Sequence, residues 1–150
     1  HPNIHYLANS SINIFGLNIY GSPITPNFFP EYWGFNKQRG EVIRQYWKRI
    51  PEDTDILVVH GPCKGIRDYI APSNHYSESI YPAGNVGCID LKDRFYSLPQ
   101  VKLMQVGHIH ENNGIDILDI GNRKVQYVNA ACCSHYNKFL YQPIVVEVEI

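Results

Sequence analysis

The chain has 150 residues with 13 basic and 14 acidic side chains, a formal net charge of −1. That length suits one domain, and a near-neutral balance without a basic stripe argues against general nucleic-acid binding. No run approaches the ~18 consecutive apolar residues of a membrane span, so no membrane partner is expected.

The first residue is His1, not Met, and no signal peptide is visible. The sequence therefore reads as a piece of a longer chain. Its four cysteines, Cys63, Cys88, Cys132 and Cys133, form no CxxC pair. Zinc sites are built on such pairs, so none is expected on these residues. Four reduced thiols fit an intracellular, cytoplasmic protein, where disulfides are rare.

The segment "SINIFGLNIYGSP" (residues 11–23) alternates polar and apolar residues about Gly16. It predicts two short strands around a tight turn, or one kinked strand. "ITPNFFPEYWGF" (24–35), with two prolines and five aromatics, predicts a loop. "KQRGEVIRQYWKRIP" (37–51) sets Val42, Ile43, Tyr46, Trp47 and Ile50 at helical spacing, and Pro51 stops it. "DTDILVVHGP" (53–62) predicts a buried strand over Ile56–Val59, bounded by turn formers. Residues 63–87 carry little periodicity, and a loop of that length is usually functional or disordered. "GNVGCIDLKDRFYSLP" (84–99) predicts a glycine-rich turn and a helix. "VKLMQVGH" (101–108) repeats the design of strand, glycine, histidine. Three strands are expected after Gly114: "IDILDI", "KVQYVNAA" and "IVVEVEI". The turn "GNR" joins the first two as a hairpin.

Two of these strands run straight into histidines. "LVVHGP" ends in His60, and "MQVGHIH" ends in His108 and His110. Alternate residues of an extended chain point the same way, so His108 and His110 project together. Ligands of open α/β sheets bind beyond the carboxyl ends of strands, and neutral imidazole is the commonest metal ligand. The three histidines are the candidate metal ligands. Gly61 and Gly107 would let backbone approach a ligand. The competing reading is three loop histidines bonded to nearby backbone.

The ordered series "IYGSP", "WGF", "IP..TDILVVHGPCKG..D", "GC..L", "GHIHE..G" and "VNAA" resembles the calcineurin-like metallophosphoesterases. Among them it is most similar to the metallophosphoesterase-domain family found in brain and in many other organisms. The resemblance covers nearly the whole chain. It implies a four-layer α-β-β-α sandwich, of which residues 1–150 are the C-terminal half of a single domain. It also implies phosphoester hydrolysis (of phosphodiesters or phosphomonoesters) on a small phosphorylated substrate, nucleotides included, with two divalent metal ions, Mn, Fe or Zn. Imidazole suits these metals better than Mg. By the same resemblance, His60 and His108 serve one metal and His110 the other.

The family's Asp-x-His, Gly-Asp and Gly-Asn-His motifs have no counterpart here. Asp53 and Asp55 flank the N-terminal end of their strand, His1 and His5 lack the Gly-Asn context, and His75 and His135 stand isolated. The expected partner is therefore the missing N-terminal half of the domain, and residues 1–150 alone are expected to be inactive. A non-catalytic structural or interaction protein on the same fold is the alternative. Further candidates are Ser22, Phe28, Phe29 and Trp33 in the aromatic loop, where rings could stack on a base. Lys64, Arg67 and Asp68 could meet a phosphate or order their loop. Glu111 could orient a histidine, as groups behind metal ligands commonly do, and Asn129 could fix the loop carrying His108.

Overall fold

The computed structural model describes residues 3–28, 34–71, 83–134 and 138–150. Strands β1 (Ser10–Ile14) and β2 (Leu17–Ser22) form the expected hairpin, turning at Phe15 and Gly16, which both take positive φ. Short β3 (Thr25–Pro26) pairs in parallel with β4 (Asn36–Lys37), so the segment expected to be loop contributes a small ladder of its own. Helix α1 (Glu41–Trp47) starts later than the spacing suggests. Lys37 belongs to β4, and Gly40 sits at φ 82, outside the helical region. Strand β5 (Ile56–Val59) follows, then the two-residue pair β6 (Tyr69–Ile70) and β7 (Gly84–Asn85). Helix α2 (Ile89–Ser97), β8 (Leu103–Val106), β9 (Gly114–Ile120) and β10 (Arg123–Asn129) complete the order.

The main sheet runs β1-β2-β5-β8-β10-β9. Its four central strands are parallel and its two edges antiparallel, an α/β arrangement. Register places Tyr20, Leu57, Met104 and Tyr127 side by side in one row across β2, β5, β8 and β10. All four are buried, in one core with Ile43 and Trp47 of α1 and Leu91 and Phe95 of α2. The Phe95 and Tyr127 rings meet edge to face at 6.0 Å. Val42, counted in the apolar helix pattern, is exposed instead. Buried Asp90 ties the helices together, accepting from Arg44 Nε at 3.0 Å and from the Gly40 N–H at 3.1 Å.

The other face of the sheet is also apolar. Adjacent residues of a strand point to opposite faces. Paired Ile19, Ile56 and Leu103 therefore share this second face with Val58, Val128, Ile115 and Ile117. No helix among the described residues covers it, and Ile115 and Ile117 are 41% and 55% exposed. A helical layer covers one side only, and the chain is a partial domain.

The third expected strand, residues 144–150, is not one. Among the described residues it joins no sheet. No helix among the described residues is long and apolar enough to cross a membrane.

Candidate metal centre

Strands β5, β8 and β10 are parallel neighbours, so their carboxyl ends open on one side of the sheet. His60 follows β5 directly, Gly107–His110 follow β8, and residues 130–134 follow β10. Backbone bonds lace these ends together. The Gly107 N–H donates to the His60 carbonyl at 2.9 Å and the Ala130 N–H to the Val106 carbonyl at 2.8 Å. The Ile109 N–H then turns back to the Gly107 carbonyl at 2.8 Å, with His108 between them at φ 68. A three-residue turn with positive φ at its centre is rare and strained. A non-glycine residue persists there only where its surroundings hold it, and such strain gathers at functional sites.

The surroundings do hold it. Asn129, fully buried, donates from Nδ2 to the Ile109 carbonyl at 2.8 Å and accepts the Ala131 N–H on Oδ1 at 3.1 Å. Asn113 donates to the carbonyls of Asn129 and Ala131 at 3.3 and 2.9 Å.

In this frame His108 Nδ1 lies 3.1 Å from His60 Nε2, with ring centroids 4.8 Å apart. The Phe28 ring packs edge-on against His108 at 4.7 Å. Burial, then the neighbouring His60 and His110, push His108 down to about 4. Burial, then His110, also lowers His60. Both rings are thus held neutral, the form that binds metals. His110 meets a different partner. Its Nδ1 lies 2.8 Å from the Ser134 carbonyl oxygen. A carbonyl only accepts, so Nδ1 carries a proton and Nε2 is the nitrogen left to face a metal. Metal-bound histidines commonly have this second-nitrogen contact.

The donor chemistry fits a divalent metal: two imidazoles held neutral and a third whose Nδ1 is engaged by a carbonyl. The donor number does not. Among the described residues no group of three or more His, Cys, Asp or Glu side chains is gathered as a metal site. His60 and His108 touch, while His110 turns to Ser134. Asp55 is committed at the far end of β5, accepting the Asn18 N–H at 2.9 Å. His5 is exposed ahead of β1, and His1, His75 and His135 lie outside the described residues.

The other candidates serve the scaffold. Ser22 Oγ donates to Asn9 Oδ1 at 2.7 Å and accepts the Ile24 N–H at 3.3 Å. Lys64 Nζ donates to the Asn85 carbonyl. Arg67 donates to the carbonyls of Asn113 and Ile115 and to Asp116 Oδ1, at 3.0, 2.9 and 2.6 Å. Buried Asp68 accepts from Asn85 Nδ2 at 2.5 Å and the Gly87 N–H at 2.8 Å. These groups order the segment after His60. Glu111 is exposed in a single 3-10 turn, His110–Asn112, with no bond to a histidine among the described residues. Phe29 and Trp33 lie outside the described residues.

A Cβ on Gly107 would stand 4.0 Å from its nearest neighbour, the His60 carbonyl, and one on Gly61 3.8 Å from Pro26 and Thr25, so protein contacts demand neither glycine. A Cβ on Gly87 would instead collide with the Cys63 backbone, and one on Gly114 with the Arg67 guanidinium. Gly87 is where Cys63 and Cys88 form a lone parallel bridge, and all four cysteines are free.

Sequence reasoning passed over Ser134 and Asn113. The signal for Ser134 was available: a third parallel strand ending in "VN" delivers "AACCS" to the same side as the histidines.

No family model matches the chain. The human Metallophosphoesterase domain-containing protein 1 is 34% identical over 146 residues, covering 97% of this chain and 40% of that protein. The chain matches the C-terminal part of the metallophosphoesterase-domain family. The mouse protein of the same name matches equally. A UPF0046 protein of Caenorhabditis elegans is 30% identical over 148 residues, covering 99% of this chain and 48% of its own length. The chain thus spans about 40% to 48% of the length of these curated relatives.

Proposed function

We propose that this chain contributes His60, His108 and His110 to the metal centre of a metal-dependent phosphoester hydrolase, and that polypeptide outside residues 1–150 completes the centre. The observation that carries the reading is the imidazole set at the ends of adjacent parallel strands, His60 and His108 held neutral by burial and His110 with Nδ1 turned to the Ser134 carbonyl. Divalent metals, Mn, Fe or Zn and two in the complete domain, would supply Lewis acidity toward phosphoryl oxygens. The chain's own residues would hold and orient. His60 and His108 present neutral nitrogens, His110 presents Nε2, and Asn129 and Asn113 keep the β8 loop in its strained turn. The substrate class is a small phosphorylated compound, either a phosphodiester or a phosphomonoester, with nucleotides among the candidates because Phe28 sets an aromatic edge beside His108. The missing N-terminal half would supply the carboxylate ligands that this chain lacks.

A non-catalytic role on the same fold has one observation in its favour: the described residues alone gather no three-ligand group. The two readings part in one assay. The full-length protein should hydrolyse an aryl phosphodiester with added Mn, and His60→Ala, His108→Ala and His110→Ala should each abolish turnover. Full activity in all three variants, or none in a folded, metal-loaded wild type, would reject the catalytic reading.

A further inference from the structure

The histidine loops leave the sheet from β5 and β8, yet polar side chains of one further strand hold both. Val125, Tyr127 and Asn129 alternate along β10 and so share a face, the one packed against the helices. Asn129 Nδ2 holds the Ile109 carbonyl of the β8 loop. Tyr127 serves the β5 loop: its hydroxyl accepts the Cys63 N–H at 2.8 Å. Strand β8 lies between β5 and β10, so the Tyr127 ring reaches across it. Register sets Tyr127 beside Met104 of β8, and Met104 Sδ is 3.7 Å from Cys63 Sγ on the far side.

Backbone bonding gives the hydroxyl its role. Cys63 follows His60 by three residues and is fully buried. Its neighbours are committed to Cys88. The Pro62 carbonyl accepts the Cys88 N–H at 2.9 Å, and the Lys64 N–H donates to the Cys88 carbonyl at 3.1 Å. Successive residues of an extended segment aim their polar groups to opposite edges, so the Cys63 N–H faces away from Cys88. Tyr127 meets it there, and a buried N–H without such a partner is costly. Burial, then the neighbouring Cys63, pushes the Tyr127 hydroxyl well above the ordinary tyrosine range, so it stays neutral. The stretch from His60 to Cys63 is thus fastened at both ends. At its outer end the His60 carbonyl accepts the Gly107 N–H at 2.9 Å, and at its inner end Tyr127 holds Cys63.

We propose that Tyr127 is a positioning residue for His60, its buried hydroxyl holding the β5 loop through the Cys63 N–H as Asn129 holds the β8 loop. This rests on the reading that His60 binds metal in the complete protein. Tyr127 acts through the backbone, so its hydroxyl sets where the His60 imidazole stands without meeting the ring.

Zn affinity and imidazole nitrogen resonances of the full-length protein test this. Tyr127→Phe removes only the hydroxyl. Val125→Ala opens a cavity on the same face of β10 and controls for lost stability, and His60→Ala reads the ligand itself. We expect Tyr127→Phe to weaken Zn binding by about 10-fold to 100-fold, as loss of a group behind a metal ligand does. It should also shift the His60 ring nitrogens in the metal-free protein and leave those of His110 unmoved. Val125→Ala should unfold earlier with Zn affinity and resonances as in the wild type. Unchanged affinity in Tyr127→Phe beside weakened binding in His60→Ala would overturn the positioning role and leave the metal reading intact. Unchanged affinity in His60→Ala would overturn both. Equal losses in Tyr127→Phe and Val125→Ala, or a Tyr127→Phe chain that does not fold, would make the hydroxyl a part of the core alone and overturn the proposal.

Discussion

His108 Nδ1 stands 3.1 Å from His60 Nε2 although the two residues are 48 apart in the chain. The space between these nitrogens has room for one proton at most, whichever ring carries it. The contact exists because β5 and β8 are parallel neighbours and the Gly107 N–H anchors the β8 loop to the His60 carbonyl. Strand pairing thus fixes the spacing of two imidazoles, and burial then fixes their charge.

That charge state sets a pH dependence. An unfolded histidine titrates near ~6.5, whereas native His108 titrates at about 4, and native His60 is also lowered. Between those values the unfolded chain binds protons that the native one does not, so stability rises with pH in that window. It is fully present above the unfolded value, falls as pH drops from ~6.5 toward about 4, and stops falling once native His108 is protonated. Urea midpoints of the metal-free full-length protein should therefore drop between about pH 7 and about pH 4.5. His108→Ala should flatten that slope, and an unchanged slope would contradict the burial argument.

Asn129 holds the histidine loop from beneath. Asn129→Ala strands the Ile109 carbonyl and the Ala131 N–H in a buried site. The expected loss is about 1–3 kcal/mol in urea unfolding. Asn129→Asp keeps an acceptor for Ala131 but sets a carboxylate against the Ile109 carbonyl, and should cost at least as much. A neutral result for both would remove Asn129 from the account.

The glycines separate by contact. Gly87→Ala forces a Cβ into the Cys63 backbone, whereas Gly107→Ala meets nothing closer than 4.0 Å. Backbone cannot move aside as a side-chain tip can, so Gly87→Ala should destabilise by about 1–3 kcal/mol, the range of overpacking. Gly107→Ala should stay within about 1 kcal/mol. Thermal unfolding of the two variants compares them directly, and the reverse ranking would contradict the packing described.

Residues 1–150 taken alone leave Ile115 and Ile117 open on an apolar face and leave the edge strands β1 and β9 unpaired on one side. Exposed apolar patches and bare edges recruit other chains. Size-exclusion chromatography of this segment should show self-association and its thermal transition should be broad. A monodisperse monomer with a sharp transition would show that the segment closes its own core.

What was legible in the sequence follows from local pattern. The apolar runs at Ile56–Val59 and Leu103–Val106 announced buried strands, and the histidines after them announced one end of the sheet. The β1–β2 and β9–β10 hairpins were legible because turn and alternation lie within a dozen residues. The β3–β4 ladder was not, since two-residue parallel pairing leaves no periodic trace. Helix α1 starts late because Gly40 takes a positive φ that apolar spacing cannot register. Residues 144–150 read as a strand from their alternation, yet among the described residues they have no ladder partner, because pairing is a property of two segments. In the site, the His60–His108 meeting was legible from strand ends, but the His110–Ser134 contact depended on which strand lies beside β8.

In the complete protein, His60, His108 and His110 are proposed to present ring nitrogens to metal. Titrating Zn into the metal-free full-length protein while recording the imidazole nitrogen resonances tests it most directly. We expect Nε2 of His110 to shift while its Nδ1 stays protonated against Ser134, with shifts at His60 and His108 in the same titration. Three histidines whose ring nitrogens do not respond to saturating metal in the folded full-length protein would contradict the account.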